Sequence, residues 1–156
     1  MNIREKLTLP ESRKLEFKGT FPAKSDLLRT VIAFSNGAGG ELIIGVDDQK
    51  REIVGVEDAL SLEEKIANII YDSIVPIVSP YISIYTIEGK EILIVNILPG
   101  NNPPYFKKSS GVERGTYVRI GSTNRLANAE LIRELQRKAQ GARKKPGNRV
   151  RFKIYY

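Results

Sequence analysis

The chain of 156 residues contains no cysteine and no histidine. Without cysteine there can be no disulfide framework. Without either residue, the usual zinc site and imidazole acid–base chemistry are excluded, because their ligands and their base are missing. Any metal must therefore sit on oxygen ligands, which points to Mg²⁺ or Mn²⁺ rather than zinc. Long apolar runs are absent as well. None approaches the ~20 residues of a membrane span, and the N-terminus lacks the shape of a signal peptide. A cytoplasmic protein with no membrane partner is the expectation.

The residues present are those of an ordinary soluble domain, 41% hydrophobic and 28% charged. The net charge of +7 is unevenly spread. Residues 139–156 hold Arg143, Lys144, Lys145, Arg149, Arg151 and Lys153 and no acid, leaving about +1 for the rest of the chain. A basic tail on a near-neutral body is an electrostatic footprint of nucleic-acid binding, although a solvated charged end reads the same way. Within the tail, Arg149 to Tyr155 alternates basic and apolar residues, the pattern of a strand.

The chain is organised around AFSNGAGGELIIGVDD at 33–48. An apolar helical run stops at Gly37, Gly39 and Gly40, which read as a helix C-cap and tight reversal. The continuous apolar run from Leu42 to Val46 reads as a strand buried on both faces, ending at Asp47 and Asp48. A phosphate-cradling loop needs the order strand, glycines, helix, and then Gly-Lys-Ser/Thr. Here the order is reversed and that signature is missing, so ATP is not expected.

Periodicity and turn residues give β-α-β-β-α-β-β-β-α, an α/β fold (α+β, mixed sheet) with about six strands and three helices. Strands are expected at 14–18, 42–46, 52–56, 81–87, 91–98 and 116–120. Helices are expected from Ser25 to Asn36, from Ser61 with a Ser61/Glu64 capping box, and from Asn128 to Lys138. Pro99 to Gly111 is a loop by composition, and Gly121 to Asn124 a polar turn. The expected division is a domain over 1–138 and a basic tail over 139–156.

Two constellations could carry chemistry. Glu11, Glu16 and the Asp47-Asp48 pair lie before, within or at the ends of strands. Carboxylates forced together repel unless a cation neutralises them, and a hard divalent ion can activate water against a phosphodiester. Acids at such places are also ordinary turn formers. The second constellation is cationic: Lys107, Lys108, Arg114, Arg119 and Arg125, beside Tyr105, Phe106 and Tyr117. Cations interleaved with rings suit phosphate contacts and base stacking; the alternative is surface charge with the rings in the core.

ESRKLEFK at 11–18, AFSNGAGGELIIGVDD at 33–48, Ile53-Val54-Gly55 and GTYVRIGSTNRLA at 115–127 together resemble the Schlafen AlbA domain, over about residues 8–138. The resemblance implies an α/β lobe that pairs with a second copy around a positively charged groove for nucleic acid. Relatives similar to the vertebrate Schlafens are metal-dependent endoribonucleases acting on tRNA and rRNA. Their three catalytic and metal-binding acids would correspond here to Glu11, Glu16 and Asp48, and Lys18 would join the nucleic-acid-binding cations. Two departures stand out. The Cys/His zinc site of the vertebrate proteins cannot be built, and one lobe stands where they have two, so a groove implies a homodimer. Many prokaryotic relatives are described only as DNA-binding proteins or transcriptional regulators. The expected function is therefore a nuclease with RNA favoured as substrate and DNA possible. The alternatives are a non-catalytic DNA-binding module and a protein-interaction domain assembled through its tail strand.

Overall fold

The computed structural model of the protein describes residues 2–144, with side chains as far as residue 141. The expected strand from Arg149 to Tyr155, with Lys145, Arg149, Arg151 and Lys153, lies outside the described residues, as do the side chains of Arg143 and Lys144.

The chain runs α1 (Ile3–Lys6), β1 (Leu15–Lys18), α2 (Lys24–Asn36), β2 (Gly40–Ile44), α3 (Ala59–Ser73), β3 (Ile74–Val75), β4 (Tyr81–Ile87), β5 (Lys90–Ile97), β6 (Phe106–Lys107), α4 (Gly111–Gly115), β7 (Tyr117–Ile120), β8 (Thr123–Leu126) and α5 (Ala129–Lys144). The expected mixed α+β architecture is present. Four strands form the main sheet in the order β1-β2-β5-β4, with β1 and β2 parallel and the other pairs antiparallel. Two small antiparallel pairs, β3-β6 and β7-β8, stand beside it. Among the described residues no helix is long and apolar enough to cross a membrane.

Strand alternation gives β2 two buried faces. Leu42 and Ile44 join α2 and α3 in the larger core with Leu27, Val31, Phe34 and Ile66. Ile43 and Val46 join the smaller core on the opposite face, with Leu15, Phe17, Ile92 and Ile94, covered by Ile3, Leu7 and Ile53. Each such side chain contributes roughly 1.5–3 kcal/mol through burial. The reversal between α2 and β2 needs glycine for space as well as conformation. Gly39 has φ +78°, and a Cβ there would lie 2.6 Å from the Ile97 carbonyl oxygen. At Gly40 a Cβ would lie 2.7 Å from the ring of Phe34, which is fully buried. The Gly37 and Gly39 N–H groups both donate to the Phe34 carbonyl and close the helix end.

Several elements differ from the sequence reading. The stretch 52–56 is not a strand: its ladder pairing is limited to the isolated bridges Val46–Ile53 and Val56–Glu91. Gly45 (φ +105°) and Gly55 (φ +80°) break the extended backbone that a ladder requires. The cap of α3 is Asp58, whose carboxylate accepts the Ser61 N–H at 3.3 Å, so the helix starts before the expected capping box. Helix α2 starts at Lys24, with Ala23 rather than Ser25 as its N-cap residue and the Ala23 carbonyl accepting from Leu27. The loop after Pro99 holds β6 and α4, and the expected turn at 121–124 shrinks to Gly121-Ser122 because Thr123–Leu126 pairs with β7. Helix α5, capped by the Asn128 side chain, continues past its expected end at Lys138 to Lys144.

Candidate nucleic-acid interface

Strand β1 sits at one edge of the sheet, and its backbone alternates between β2 and that edge. The Lys14 and Lys18 carbonyls accept from Glu41 and Gly45, so Leu15 and Phe17 turn their backbone groups outward. Those groups are not left to solvent. The Glu11 Oε2 accepts the Phe17 N–H at 2.8 Å, Ser12 exchanges bonds with Leu15, and the Arg119 guanidinium donates to the Leu15 carbonyl at 3.2 Å. Glu11 thus closes the edge of the strand that carries Glu16.

Glu16 points to the face opposite Leu15 and Phe17 and is buried. Its Oε1 receives Arg119 Nη1 at 2.6 Å and its Oε2 receives Lys18 Nζ at 3.2 Å. Arg119 has a side chain only 2% exposed and uses all five of its N–H donors. Nε donates to the Ser12 carbonyl, Nη1 to Glu16 and Asn124, and Nη2 to the Ser12 and Leu15 carbonyls. The guanidinium also lies 5.2 Å from the Phe34 ring centroid. Asn124 continues the network to the Thr30 hydroxyl at 3.0 Å. Arg119 is therefore a tie between β1, α2 and the β7-β8 hairpin. Expected to contact phosphate, it has no donor left for one.

A second tie that the sequence reading missed is Asn36, the last residue of α2. Its amide nitrogen donates to the Tyr105 and Tyr117 carbonyls, both at 2.9 Å, and its oxygen accepts the Tyr105 N–H at 2.6 Å. This fixes the loop before β6 and the start of β7. Tyr105 is buried and Tyr117 packs against the larger core, so neither ring is presented for base stacking; Phe106 is half-buried. Arg51 is a third tie. It stacks 3.8 Å from the Phe17 ring centroid, donates to the Leu7 carbonyl at 3.2 Å and bonds the Leu9 carbonyl, holding the N-terminal arm.

The remaining expected cations behave differently. Lys108, Arg114 and Arg125 are exposed and Lys107 is half-buried. Among the described residues none of the four forms an ion pair. They share one contiguous part of the molecule. Phe106 bridges to Thr116, the Lys108 backbone N–H donates to the Ser73 carbonyl, and the β7-β8 ladder places Arg125 opposite Val118, on the side away from Arg119. Lys18 is one-third exposed and leans on Glu16.

Of the three expected acids, two are brought together and the third stands apart. Glu11 and Glu16 are brought close, but Glu16 already faces two cations, one of them buried, and a third positive charge there would be repelled. Asp48 is exposed on the 48–50 turn, where its backbone carbonyl accepts from Arg51, while the Asp47 carboxylate caps the Gln49 and Lys50 N–H groups. Among the described residues no three acids are grouped to hold a metal.

The fold and these ties define a small α+β lobe with a closed β1 edge and an unpaired cationic flank. Residues 11–128 match the family described as Schlafen, AlbA_2, and the chain belongs to that family. Among solved structures it is similar to the DIP2311 protein of Corynebacterium diphtheriae, with 22% identity and a TM-score of 0.60, over 80% of this chain and 27% of that one. The chain thus spans about a quarter of that relative, and the likeness concerns the fold. It is also similar to the N-terminal domain of a RecG-related protein of Nitrosomonas europaea, with 25% identity and a TM-score of 0.56, over 80% of this chain and 89% of that domain.

Proposed function

We propose that this chain is a cytoplasmic nucleic-acid-binding module. In this reading the flank formed by β6, α4 and the β7-β8 hairpin grips the phosphate backbone, and pairing with a second copy of the chain brings a second such flank. The carrying observation is the group Lys107, Lys108, Arg114 and Arg125, carried by β6, α4 and the β7-β8 hairpin and the turn beside them, with no acid within ion-pair distance among the described residues. Positive charge left uncompensated on ordered backbone is what counterion release requires. Membership of the Schlafen AlbA_2 family supports the same reading, and the RecG-related name of one structural neighbour is consistent with it. With Tyr105 in the core and Tyr117 packed against it, recognition rests on phosphate contacts more than on stacking; it is the resemblance to the Schlafen AlbA domain that favours tRNA-like RNA as the ligand. In this module Glu11 and Glu16 hold the fold.

The test is titration of labelled tRNA, single-stranded DNA and duplex DNA at two salt concentrations, followed by incubation of each with Mn²⁺ and with EDTA. The proposal expects binding that weakens steeply with salt and intact nucleic acid in both incubations. Cleavage that needs Mn²⁺ would replace the module by a metal-dependent endonuclease, for which the closeness of Glu11 and Glu16 is the favouring feature. Absence of binding at low salt would sink both.

A further inference from the structure

The two edges of the main sheet are treated in opposite ways. The β1 edge is closed by Glu11, Ser12 and Arg119. At the other edge lies β4, seven residues reading YISIYTI, with no charge, proline or glycine, and paired on its inner side to β5 alone. The devices that normally keep such an edge from pairing are all missing from the strand. Nothing among the described residues pairs with its outer side.

The outward backbone groups can be read from the ladder. The Glu91 carbonyl accepts from Val56 on the β2 side, so the even-numbered residues of β5 face β4. Through the register Tyr81–Asn96, Ser83–Ile94 and Tyr85–Ile92, the odd-numbered residues of β4 are engaged with β5. The outward N–H and C=O groups therefore belong to Ile82, Ile84 and Thr86.

Residues 81–85 are a palindrome, Tyr-Ile-Ser-Ile-Tyr, centred on Ser83. We propose that β4 is a self-pairing edge, on which a second copy of this chain adds its own β4 antiparallel about a two-fold axis through Ser83. An isologous contact requires a self-complementary surface, and the palindrome supplies one. In this register Ile82 faces Ile84 of the second copy and exchanges two N–H···O bonds with it, using the groups left open. Tyr81 meets Tyr85 of the second copy at a non-hydrogen-bonded pair, where side chains come closest. Both rings are available, at 73% and 43% exposure, on one face of the strand. Pro80, which has no N–H, falls opposite Thr86 and ends the ladder. The two four-stranded sheets become one. This names a surface for the pairing proposed above, and it stands whether or not nucleic acid binds.

The protein's lack of cysteine makes the test direct. Wild type is expected to sediment at about twice the monomer mass of 17.5 kDa at tens of micromolar. Ser83→Cys, oxidised at that concentration, is expected to give a dimer linked by a disulfide between the two introduced thiols, since residues opposite each other there are within disulfide reach. Tyr81→Lys with Tyr85→Lys is expected to weaken dimerisation at least tenfold, with an unchanged circular-dichroism spectrum and retained nucleic-acid binding by the monomer. A wild-type monomer through 100 micromolar overturns the inference. So does a wild-type dimer whose Ser83→Cys variant does not cross-link to itself, which would place the second copy elsewhere or another strand on this edge. Loss of nucleic-acid binding with the cross-link intact would count against the nucleic-acid proposal alone.

Discussion

The tie through Arg119 separates a structural role for the acids from a catalytic one, and Arg119→Met is the perturbation to make. The substitution keeps the apolar stem near Phe34 and deletes the guanidinium. Glu16, with 10% of its side chain exposed, then keeps Lys18 as its cation at 3.2 Å, while the Ser12 and Leu15 carbonyls and the Asn124 amide lose their donors. Removing one partner of a buried ion pair costs about 3–5 kcal/mol. The one-third-exposed Lys18 offsets part of this, so the expected loss is about 3 kcal/mol. For a chain of this size that corresponds to a fall in Tm of roughly 6–12 °C. Glu16→Gln retains a neutral acceptor and should cost about 1–2 kcal/mol.

Urea unfolding of wild type, both single variants and the double variant gives the coupling energy, expected at about 1–3 kcal/mol. At a temperature where Arg119→Met is fully folded, its affinity for tRNA should stay within about threefold of wild type, because no donor of Arg119 is spare for phosphate. A loss of stability below about 1 kcal/mol with zero coupling would refute the tie. A tenfold loss of affinity in the folded variant would return Arg119 to the interface. If Glu16→Gln left stability untouched but abolished a Mn²⁺-dependent cleavage, the acids would be catalytic after all.

Asn36→Ala strands the Tyr105 N–H and the Tyr105 and Tyr117 carbonyls around a buried site, and should cost about 2–4 kcal/mol by thermal unfolding; a cost under 1 kcal/mol would mean that water takes over. Gly40→Ala drives a methyl group into the Phe34 ring and should cost about 1–3 kcal/mol, whereas Gly89→Ala meets nothing and carries only the strain of its φ of +75°. Lys108→Ala, Arg114→Ala and Arg125→Ala should each weaken tRNA and single-stranded DNA alike and lower the salt slope by about 1, without shifting Tm by more than about 2 °C. Replacing Lys145, Arg149, Arg151 and Lys153 by glutamine removes four charges and should weaken binding uniformly across sequences; unchanged affinity would show that the basic end takes no part.

Where one physical cause dominates a local pattern, the sequence was informative. The hairpin of β4 and β5 and the glycine reversal follow from apolar runs and from φ > 0 at few residues, and both are found; the buried strand expected at 42–46 is found two residues earlier, at Gly40–Ile44, because Gly45 at φ +105° ends it. What escaped depends on partners distant in sequence. Two-residue strands such as β3 and β6 leave no period to read, and α4 is a single turn. Asn36 looked like part of a helix end because its three bonds go to residues about 70 to 80 positions away. Arg119 and Arg125 stand in the same strand-turn-strand and look equivalent by charge. The register of the hairpin alone turns one inward onto Glu16 and the other out to solvent.

That sorting of like charges also bears on the spacing of Glu11 and Glu16. An exposed parallel edge strand leaves an N–H and a carbonyl unsatisfied at every second residue, and these are templates for unwanted pairing. Glu11 reaches the Phe17 N–H only because the turn at Arg13-Lys14 brings the chain back along β1, and Glu16 holds Arg119 where its outer nitrogens cap the Ser12 and Leu15 carbonyls. One acid closes the edge directly and the other closes it through a cation. Both carboxylates are thereby engaged in holding the edge. The same chain leaves β4 uncapped at the opposite end of the sheet, so the acids close the edge beside the cationic flank and leave the palindromic one available for a second copy.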